Sequence, residues 1–256
     1  MSELAIVVTG EPMPSVRERR GDWAAIIQGA LAQERARCTV LDARAGQLPP
    51  LAGFDGIIVT GSSSSVMERA EWMLRAEARL REAVRAGAHV LGICFGHQLL
   101  GQALGGSVGR NPAGREIGTV ALELLAEDPL FVELEPPLLV NMTHTDSVVQ
   151  LPPGARVVAR TALEPCAVVR FADRVLGVQF HPEIDADVMG AYVQLRRELL
   201  LEEGLDADAI GAAVAEAPAG RRVLARFVEE VRRGRPPAGV AGQAFASEVA
   251  ERAPTG

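Results

Sequence analysis

The sequence predicts an α/β fold, and three observations lead to it. Apolar runs typical of buried parallel strands occur at residues 4–9, 38–41, 54–60 and 88–91. Segments with helical character separate these runs, whereas the second half of the chain carries strands joined by short turns. We therefore expect an open sheet with a mostly parallel core, helices on both faces and an added antiparallel or mixed section.

The first half alternates strands with helices, and its loops carry the usual breakers. Residues 10–21 contain two prolines and predict a long loop. Asp22 is placed to cap a helix over residues 23–35, and residues 46–53 predict another loop. Further helices of this half are predicted over residues 72–86 and 97–104.

The second half predicts strands followed by helices. The strands are predicted over residues 118–125, 138–142, 156–160, 166–171 and 175–180. The helices are predicted over residues 184–203, 206–215 and 221–233, and the apolar face of the last is expected to be core, with a partner surface as the alternative. Residues 1–233 thus predict one domain, and residues 234–256, rich in Ala, Gly and Pro, predict a flexible tail.

The composition excludes several functional classes. All 26 basic residues are arginine, so lysine Schiff-base and phosphate-loop lysine chemistry are ruled out. The net charge of −7 argues against a nucleic-acid surface, and three widely spaced cysteines predict neither disulfides nor a zinc site. No apolar run approaches the ~18 residues of a membrane span, and the N-terminus lacks the basic start of a signal peptide. We expect a cytoplasmic protein with no nucleic-acid or membrane partner.

Residues 92–98, which read Gly-Ile-Cys-Phe-Gly-His-Gln, predict a sharp strand-to-helix turn with a thiol at its tip. Glycines two before and two after Cys94 let backbones pass closely, as in the nucleophile elbow of hydrolases. The N-terminus of a helix favours the thiolate, which is the reactive form. A buried structural cysteine is the alternative, and the paired glycines favour the nucleophile.

A nucleophilic cysteine needs a base and a group that orients the base. His181 directly follows an apolar strand, and Glu183, two residues later, can reach its imidazole. Pro182 between them stops the strand and fixes the backbone. The other histidines have other predicted positions: a satisfied core or edge residue at His89, a packing residue at His97, and a loop residue facing the substrate pocket at His144.

Two motifs together resemble a known family. The elbow at residues 92–98, followed by Gln-Phe-His-Pro-Glu at residues 179–183, is similar to the paired signature of class I glutamine amidotransferases. The chain resembles in particular the glutaminase domain of guanosine monophosphate synthetases, from residue 6 to residue 188. Further similar motifs lie at residues 59–66, 114–118 and 142–148. The resemblance implies a flavodoxin-like fold, and we expect neither cofactor nor metal.

The resemblance implies a catalytic triad of Cys94, His181 and Glu183. Cys94 would attack the side-chain amide of glutamine. His181 would take the thiol proton and then protonate the departing ammonia, while Glu183 would orient His181. The resulting glutamyl thioester would be cleaved by water to glutamate.

The resemblance also implies roles around the triad. The backbone N–H of Phe95 and an N–H of the Gly61–Ser62 loop are expected to form an oxyanion hole, each donor worth about 3–4 kcal/mol when removed. Gln98, one turn past the nucleophile, is expected to hold the substrate. Further substrate contacts are expected at Thr143, Thr145 and Asp146.

Two loops depart from the pattern of the synthetase domain. Ser62 and Ser63 follow Gly61 where that domain usually has Gly-Gly-Pro, and Thr145 stands where it often has glycine. A β-branched residue restricts backbone angles that glycine allows. Both changes fall on loops that contact the substrate, so the identity of the substrate stays open.

Three functions therefore remain as alternatives. No phosphate-loop or nucleotide-binding motif follows residue 188, so we expect a free-standing module. It would release ammonia from glutamine for a separate synthetase subunit, or hydrolyse γ-glutamyl peptides or γ-glutamyl amines by the same thioester chemistry. A regulatory module with an idle elbow is the third alternative, and it is disfavoured because all three triad residues are present.

Overall fold

A computed structural model describes residues 2–34 and 36–234 of the chain. Its strands are β1 (Glu3–Val8), β2 (Arg37–Asp42), β3 (Gly56–Val59), β4 (His89–Ile93), β5 (Ser107–Arg110), β6 (Glu116–Leu124), β7 (Leu138–His144), β8 (Asp146–Gln150), β9 (Arg156–Arg160), β10 (Val168–Ala172) and β11 (Val175–Val178). Its α-helices are α1 (Pro14–Arg20), α2 (Trp23–Ala30), α3 (Glu71–Arg85), α4 (Phe95–Ala103), α5 (Ala186–Leu195), α6 (Arg197–Glu202), α7 (Ala207–Ala212) and α8 (Pro218–Arg233).

Nine strands form one sheet in the order β2-β1-β3-β4-β11-β10-β9-β6-β7. From β2 to β11 neighbouring strands run parallel, and from β11 to β7 they run antiparallel. Strands β5 and β8 form a separate antiparallel ladder. The predicted α/β fold, with its parallel core and added antiparallel section, is confirmed.

Alternation along the strands divides the core between the two faces of the sheet. In β1, Leu4, Ile6 and Val8 belong to a cluster that includes residues of α2 and α8. Ala5 and Val7 belong to a different cluster, which includes residues of α3 and α4. Successive side chains of a strand point to opposite faces, so a strand buried on both faces is apolar throughout. The expected helices on both faces are therefore present.

The loop predicted over residues 10–21 contains a helix, so that prediction was wrong. Helix α1 begins at Pro14, where the missing N–H of proline costs no helical hydrogen bond. It is followed by Gly21, whose φ of 85° ends the helix. The cap predicted at Asp22 is confirmed, because its carboxylate accepts a hydrogen bond from the N–H of Ala25 at 2.8 Å.

The second half differs from prediction in two places. The strands β5 and β8 were not predicted, and β8 (Asp146–Gln150) lies in a motif that was interpreted as a substrate loop. The helix predicted over residues 184–203 is two helices, with Arg196 between them at φ −106° and ψ 9°. Apolar residues continue across this break, so periodicity alone does not reveal it.

The end of the described chain packs onto the sheet. The apolar face of α8 is buried, which confirms the expected core, and consists of Val223, Leu224, Phe227, Val228 and Val231. That residues 1–233 form one domain stays a prediction, and residues 235–256 of the predicted tail lie outside the described residues. Among the helices described, none has the length and apolar character needed to cross a membrane.

Two glycines allow close backbone contacts at the elbow. A Cβ on Gly92 would lie 2.5 Å from the carbonyl oxygen of Gly96, and a Cβ on Gly96 would lie 2.4 Å from that of Val59. Because both neighbours are backbone atoms, no side-chain rotation can relieve these contacts. The strands β3 and β4 and the helix α4 therefore meet at distances that only glycine permits, as the sequence predicted.

We expect Gly96→Ala to lower the free energy of unfolding by about 1–3 kcal/mol, because the new methyl group overpacks the elbow. Gly190→Ala is the matched control, since no atom lies within 4 Å of a Cβ at Gly190 in α5. That control should be neutral or raise the free energy of unfolding by up to ~1 kcal/mol. Urea unfolding of both variants measures the difference, and equal stabilities would contradict the packing argument.

Candidate active site

Cys94 lies at the tip of the turn between β4 and α4. Its backbone has φ 50° and ψ −104°, a combination that residues with a side chain rarely adopt. Its N–H donates to the carbonyl of Val178 at 2.8 Å, which ties the turn to β11. The thiol is at the N-terminus of α4, where free N–H groups favour an anion. The predicted strand–turn–helix geometry is confirmed.

His181 is fixed by its neighbours on several sides. Its Nδ1 lies 2.7 Å from Oε1 of Glu183, whose side chain has no exposed surface. Its backbone N–H donates to the carbonyl of Asn141 at 2.8 Å. The ring of Trp23 stacks on the imidazole with 5.7 Å between ring centroids. The imidazole therefore has one orientation, with Nδ1 directed at the carboxylate.

The sheet brings the cysteine and the histidine together. Strand β11 pairs in parallel with β4, and Val178 lies opposite Ile93. The residues that follow these two strands, including Cys94 and His181, therefore emerge at the same edge of the sheet. This is the edge where parallel α/β sheets place their sites.

The electrostatics keep the imidazole of His181 protonated. Burial alone would lower its pKa, but the negative charges of Glu183 and of the Cys94 thiolate outweigh burial and raise the pKa to about 10. Nε2 of His181 is buried and has no hydrogen-bond partner among residues 2–34 and 36–234. The arrangement supports an imidazolium at His181, with Nε2 available to exchange a proton.

The loop after β3 reaches the same point. A Cβ on Gly61 would lie 2.9 Å from Cε1 of His181 and 3.8 Å from Cβ of Cys94, so only glycine allows this approach. The carbonyl of Gly61 accepts a hydrogen bond from the hydroxyl of Thr60 at 3.1 Å, and the hydroxyl of Thr9, which donates to the carbonyl of Thr60 at 2.8 Å, lies 3.1 Å from the same oxygen. These bonds fix the peptide plane, and the N–H of Ser62 points away from the two hydroxyls because a trans peptide opposes its N–H and C=O.

A polar cavity of about 390 Å³ opens on one side of Cys94. The amide of Gln98 donates to the carbonyl of Asp146 at 2.9 Å and to Oε1 of Gln179 at 3.0 Å. The carboxylate of Asp146 accepts from the hydroxyl of Ser65 at 2.6 Å. The cavity brings together all four residues that the sequence assigned to substrate binding: Gln98, Thr143, Thr145 and Asp146.

An aromatic cavity, also of about 390 Å³, opens on the other side of Cys94. His181 lines this cavity and does not line the polar one. Its walls include Met13, Trp23 and Tyr192, none of which the sequence singled out as part of the site. No spacing connects these residues, which come from α2, α5 and the segment before α1.

Arg196 lines both cavities, and the sequence analysis missed it. Its guanidinium donates to the hydroxyl of Thr143 and lies 5.1 Å from the ring centroid of Tyr192. Burial lowers the pKa of Arg196, although the guanidinium stays charged in proteins. Arg196 lies beyond the last recognised motif, at the unpredicted break between α5 and α6.

His144 was predicted as a loop residue, and the structure corrects this. It ends strand β7, and its Nε2 lies 3.2 Å from Oε2 of Glu116. Its Nδ1 lies 3.1 Å from the carbonyl of Asp146 and 3.7 Å from Oε2 of Glu164. Burial raises the pKa of Glu164, while the nearby His144 opposes that shift. His144 thus borders the polar cavity and supports the backbone of Asp146.

The other two histidines lie apart from the triad. His97 is fully buried against Phe171, with ring centroids 5.5 Å apart, and burial lowers its pKa to about 3. It packs as predicted. His89 begins β4 at the opposite end of that strand, and burial lowers its pKa to about 4. It is a core residue, but its ring nitrogens have no partner in the described part of the chain, so it is not the satisfied histidine that was predicted.

Comparison with known proteins identifies the family. The family model for glutamine amidotransferase class-I matches residues 25–196, about two thirds of the chain. The chain belongs to this family, which confirms the resemblance that its motifs carry. A glutamine amidotransferase from Thermotoga maritima shares the fold, with a TM-score of 0.72 and 21% identity over 90% of this chain and 98% of the other.

Two curated relatives differ in the activity that their names state. GMP synthase (glutamine-hydrolyzing) of Aeropyrum pernix is 38% identical over 162 residues, which are 63% of this chain and 29% of that protein. Gamma-glutamyl peptidase 4 of Arabidopsis thaliana is 30% identical over 155 residues, or 59% of this chain and 62% of that protein. The chain thus spans less than a third of the synthase and under two thirds of the peptidase.

We expect His181 to stay protonated in NMR titrations up to about pH 10, and Glu183→Gln to bring its titration to lower pH. The raised pKa depends on the charge of Glu183, and without that charge burial lowers it. Asp187→Asn, at an exposed carboxylate of α5, is the matched control and should leave the titration unchanged. His181→Asn assigns the resonance, and a pKa that Glu183→Gln does not lower would contradict the ion-pair assignment.

Proposed function

We propose that the chain hydrolyses the side-chain amide of glutamine through a cysteinyl thioester and releases glutamate and ammonia. The observation that carries the proposal is the position of His181. Its Nδ1 is held by Glu183 at 2.7 Å, and its free Nε2 side faces the environment of the Cys94 thiol. Nucleophile, base and orienting acid are thus in the order that such catalysis needs.

Acylation follows from this arrangement. The Cys94 thiolate adds to the amide carbon, and a C–S bond forms. The imidazolium of His181 donates its proton to the amide nitrogen, so the C–N bond breaks and ammonia leaves. Glu183 holds the imidazole in one tautomer and stabilises its charge without itself taking the proton.

The oxyanion of the tetrahedral intermediate needs aimed donors. We assign the N–H of Phe95, the first residue after the nucleophile, and the N–H of Ser62. The hydroxyl of Thr60 supports this role because it anchors the carbonyl of Gly61 and thereby orients the N–H of Ser62. Preorganisation of this kind is worth more than the donors themselves would be in water.

In deacylation His181 acts as a base, having acted as an acid in acylation. Neutral His181 takes a proton from a water molecule, and the hydroxide attacks the thioester carbon. The C–S bond breaks, the Cys94 thiolate returns to its pair with imidazolium, and glutamate leaves. One catalytic cycle thus consumes one amide and one water.

The polar cavity is the binding site for the glutamyl group. Gln98 and Asp146 are held in place by their mutual hydrogen bond, and Thr143 and Thr145 line the same cavity beside the thiol. An amino acid end carries both charges, so it needs acceptors and donors together. The carboxylate of Asp146 and the side chain of Arg110, 3.4 Å apart, offer both.

Ammonia from this reaction would serve a separate synthetase. The chain is similar to part of the glutamine-hydrolyzing GMP synthase of Aeropyrum pernix, and this similarity supports a glutaminase module whose ammonia goes to a synthetase. We propose that residues 1–233 act as that module.

A γ-glutamyl peptide or γ-glutamyl amine hydrolase is the second candidate, and the aromatic cavity favours it. Release of ammonia needs little room, whereas about 390 Å³ is open beside His181, where the leaving nitrogen must lie. The relative named gamma-glutamyl peptidase 4 supports the same reading. Glutamine is itself the smallest γ-glutamyl amide, so the thioester chemistry is shared.

We expect the purified chain to release ammonia and glutamate from glutamine, and a glutamine-mimicking electrophile to label Cys94. A panel of γ-glutamyl peptides and amines, assayed alongside, ranks the two candidates. Labelling without turnover would indicate a competent site that needs its partner subunit. A chain that neither turns over glutamine nor is labelled at Cys94 would contradict the proposed function.

Cys94→Ala and His181→Ala should each lower kcat by about 10⁴-fold or more, because nucleophile and base act as a unit. Glu183→Ala should lose less, by about 10–100-fold relative to those variants, because it orients the base and transfers no proton. Circular dichroism checks that all three variants fold. Turnover retained in Cys94→Ala, or a greater loss in Glu183→Ala than in His181→Ala, would contradict the assigned roles.

A further inference from the structure

Arg196 is unusual among the arginines of this chain. Among the described residues it is the one arginine that is not exposed and has no carboxylate within 4.0 Å. Arg115 and Arg170, which are also shielded from solvent, each pair with an acid, at 2.6 Å to Glu203 and to Asp128. A shielded guanidinium without a partner carries a desolvation cost that a bound carboxylate would offset.

The neighbours of Arg196 fix the position of its guanidinium but use only some of its hydrogen-bond donors. The hydroxyl of Thr143 accepts one of its five N–H groups, and its guanidinium carbon lies 5.1 Å from the ring centroid of Tyr192. Its charge also interacts with the Cys94 thiol. The side chain is therefore positioned beside the reacting sulfur, with donors left for a ligand.

The two cavities can be assigned to the two sides of the scissile bond. The acid that protonates the leaving nitrogen must lie within hydrogen-bonding reach of it. His181 lines the aromatic cavity and not the polar one, so we assign the leaving group to the aromatic cavity. The glutamyl group then lies in the polar cavity, which already contains charged groups for its amino acid end, including Arg110 and Asp146.

We infer that the aromatic cavity binds the leaving group of a γ-glutamyl peptide and that Arg196 binds the carboxylate of the amino acid released. In a γ-glutamyl amino acid this carboxylate is two bonds from the scissile nitrogen, which places it beside the thiol and Arg196. The preferred substrate class is therefore γ-glutamyl amino acids, ahead of γ-glutamyl amines that lack the carboxylate. The inference deepens the second candidate function and depends on the thioester chemistry proposed above.

The walls of the cavity define the side chain that fits. Met13, Trp23 and Tyr192 offer apolar and aromatic surface, and Pro12 and Pro14 flank them. Glu11, also at this cavity, forms ion pairs with Arg44 at 2.8 Å and with Arg17 at 3.6 Å, so two arginines already balance its charge. An aliphatic or aromatic residue next to the γ-glutamyl bond is therefore favoured over a basic one.

The test compares two substrates that differ by one carboxylate, γ-glutamyl-leucine and the γ-glutamyl amide of 3-methylbutylamine. The wild-type chain should hydrolyse γ-glutamyl-leucine with a kcat/KM about 10- to 100-fold higher, the size expected for a charge-assisted, bidentate contact. Glutamine, which has no leaving-group substituent, is the reference substrate for the triad.

Arg196→Met should remove the preference, bringing the kcat/KM values of the two matched substrates within about 3-fold of each other. Arg196→Lys should keep part of the preference, since it keeps the charge but loses the bidentate geometry. Arg85→Met is the matched control, because Arg85 is exposed, has no ion pair among the described residues and lies at the far end of α3.

Two results would overturn the inference. If the wild-type chain has equal kcat/KM for the two matched substrates, or hydrolyses neither, then Arg196 does not bind the carboxylate of the leaving group. A uniform loss on all three substrates in both Arg196→Met and Arg196→Lys would give Arg196 a structural role or a contact with the glutamyl group. If the wild-type chain still hydrolyses glutamine, the proposed glutaminase chemistry stands whichever of these results is found. Failure of this inference can therefore be told apart from failure of the proposed function.

Discussion

The whole site depends on one close approach of backbone to backbone. Where β4 becomes α4, Gly92 and Gly96 face each other and Gly96 faces Val59, at distances that exclude a Cβ. This contact allows the tight turn in which Cys94 takes a positive φ, a strain of order ~1–3 kcal/mol that surrounding bonds must hold. The hydrogen bond from Cys94 to Val178 is one of those bonds, and it also ties the nucleophile to the strand that carries the base.

Two buried polar atoms of the triad lack a hydrogen-bond partner. Oε2 of Glu183 and Nε2 of His181 are buried without hydrogen-bond partners in the described residues, in a structure whose other carboxylates are mostly paired. Orphaned atoms of this kind are costly in a folded protein, and they persist where a substrate or water completes the pairing. The guanidinium of Arg196 belongs to the same pattern, because it has no carboxylate partner among the described residues and lines a cavity.

The features that the sequence predicted correctly are those that depend on residues close together along the chain. Paired glycines around Cys94 predicted the elbow, and continuous apolar runs separated by helical segments predicted the sheet. The loop predicted around Pro14 was wrong, because proline, which breaks the interior of a helix, suits the first turn of one. Arg196, Trp23 and Met13 could not be found, since long-range packing of three separate segments brings them to Cys94, and no spacing along the chain records that packing.

The adjacency of β4 and β11 couples the site to the most protected part of the fold. These strands are the fourth and fifth of nine in the sheet, so neither can separate without opening the sheet at its middle. Local fraying, which begins at edges such as β2 or β7, leaves both strands paired. The two strands that lead to Cys94 and His181 therefore lie in the best protected part of the sheet, and slow amide hydrogen exchange should mark them.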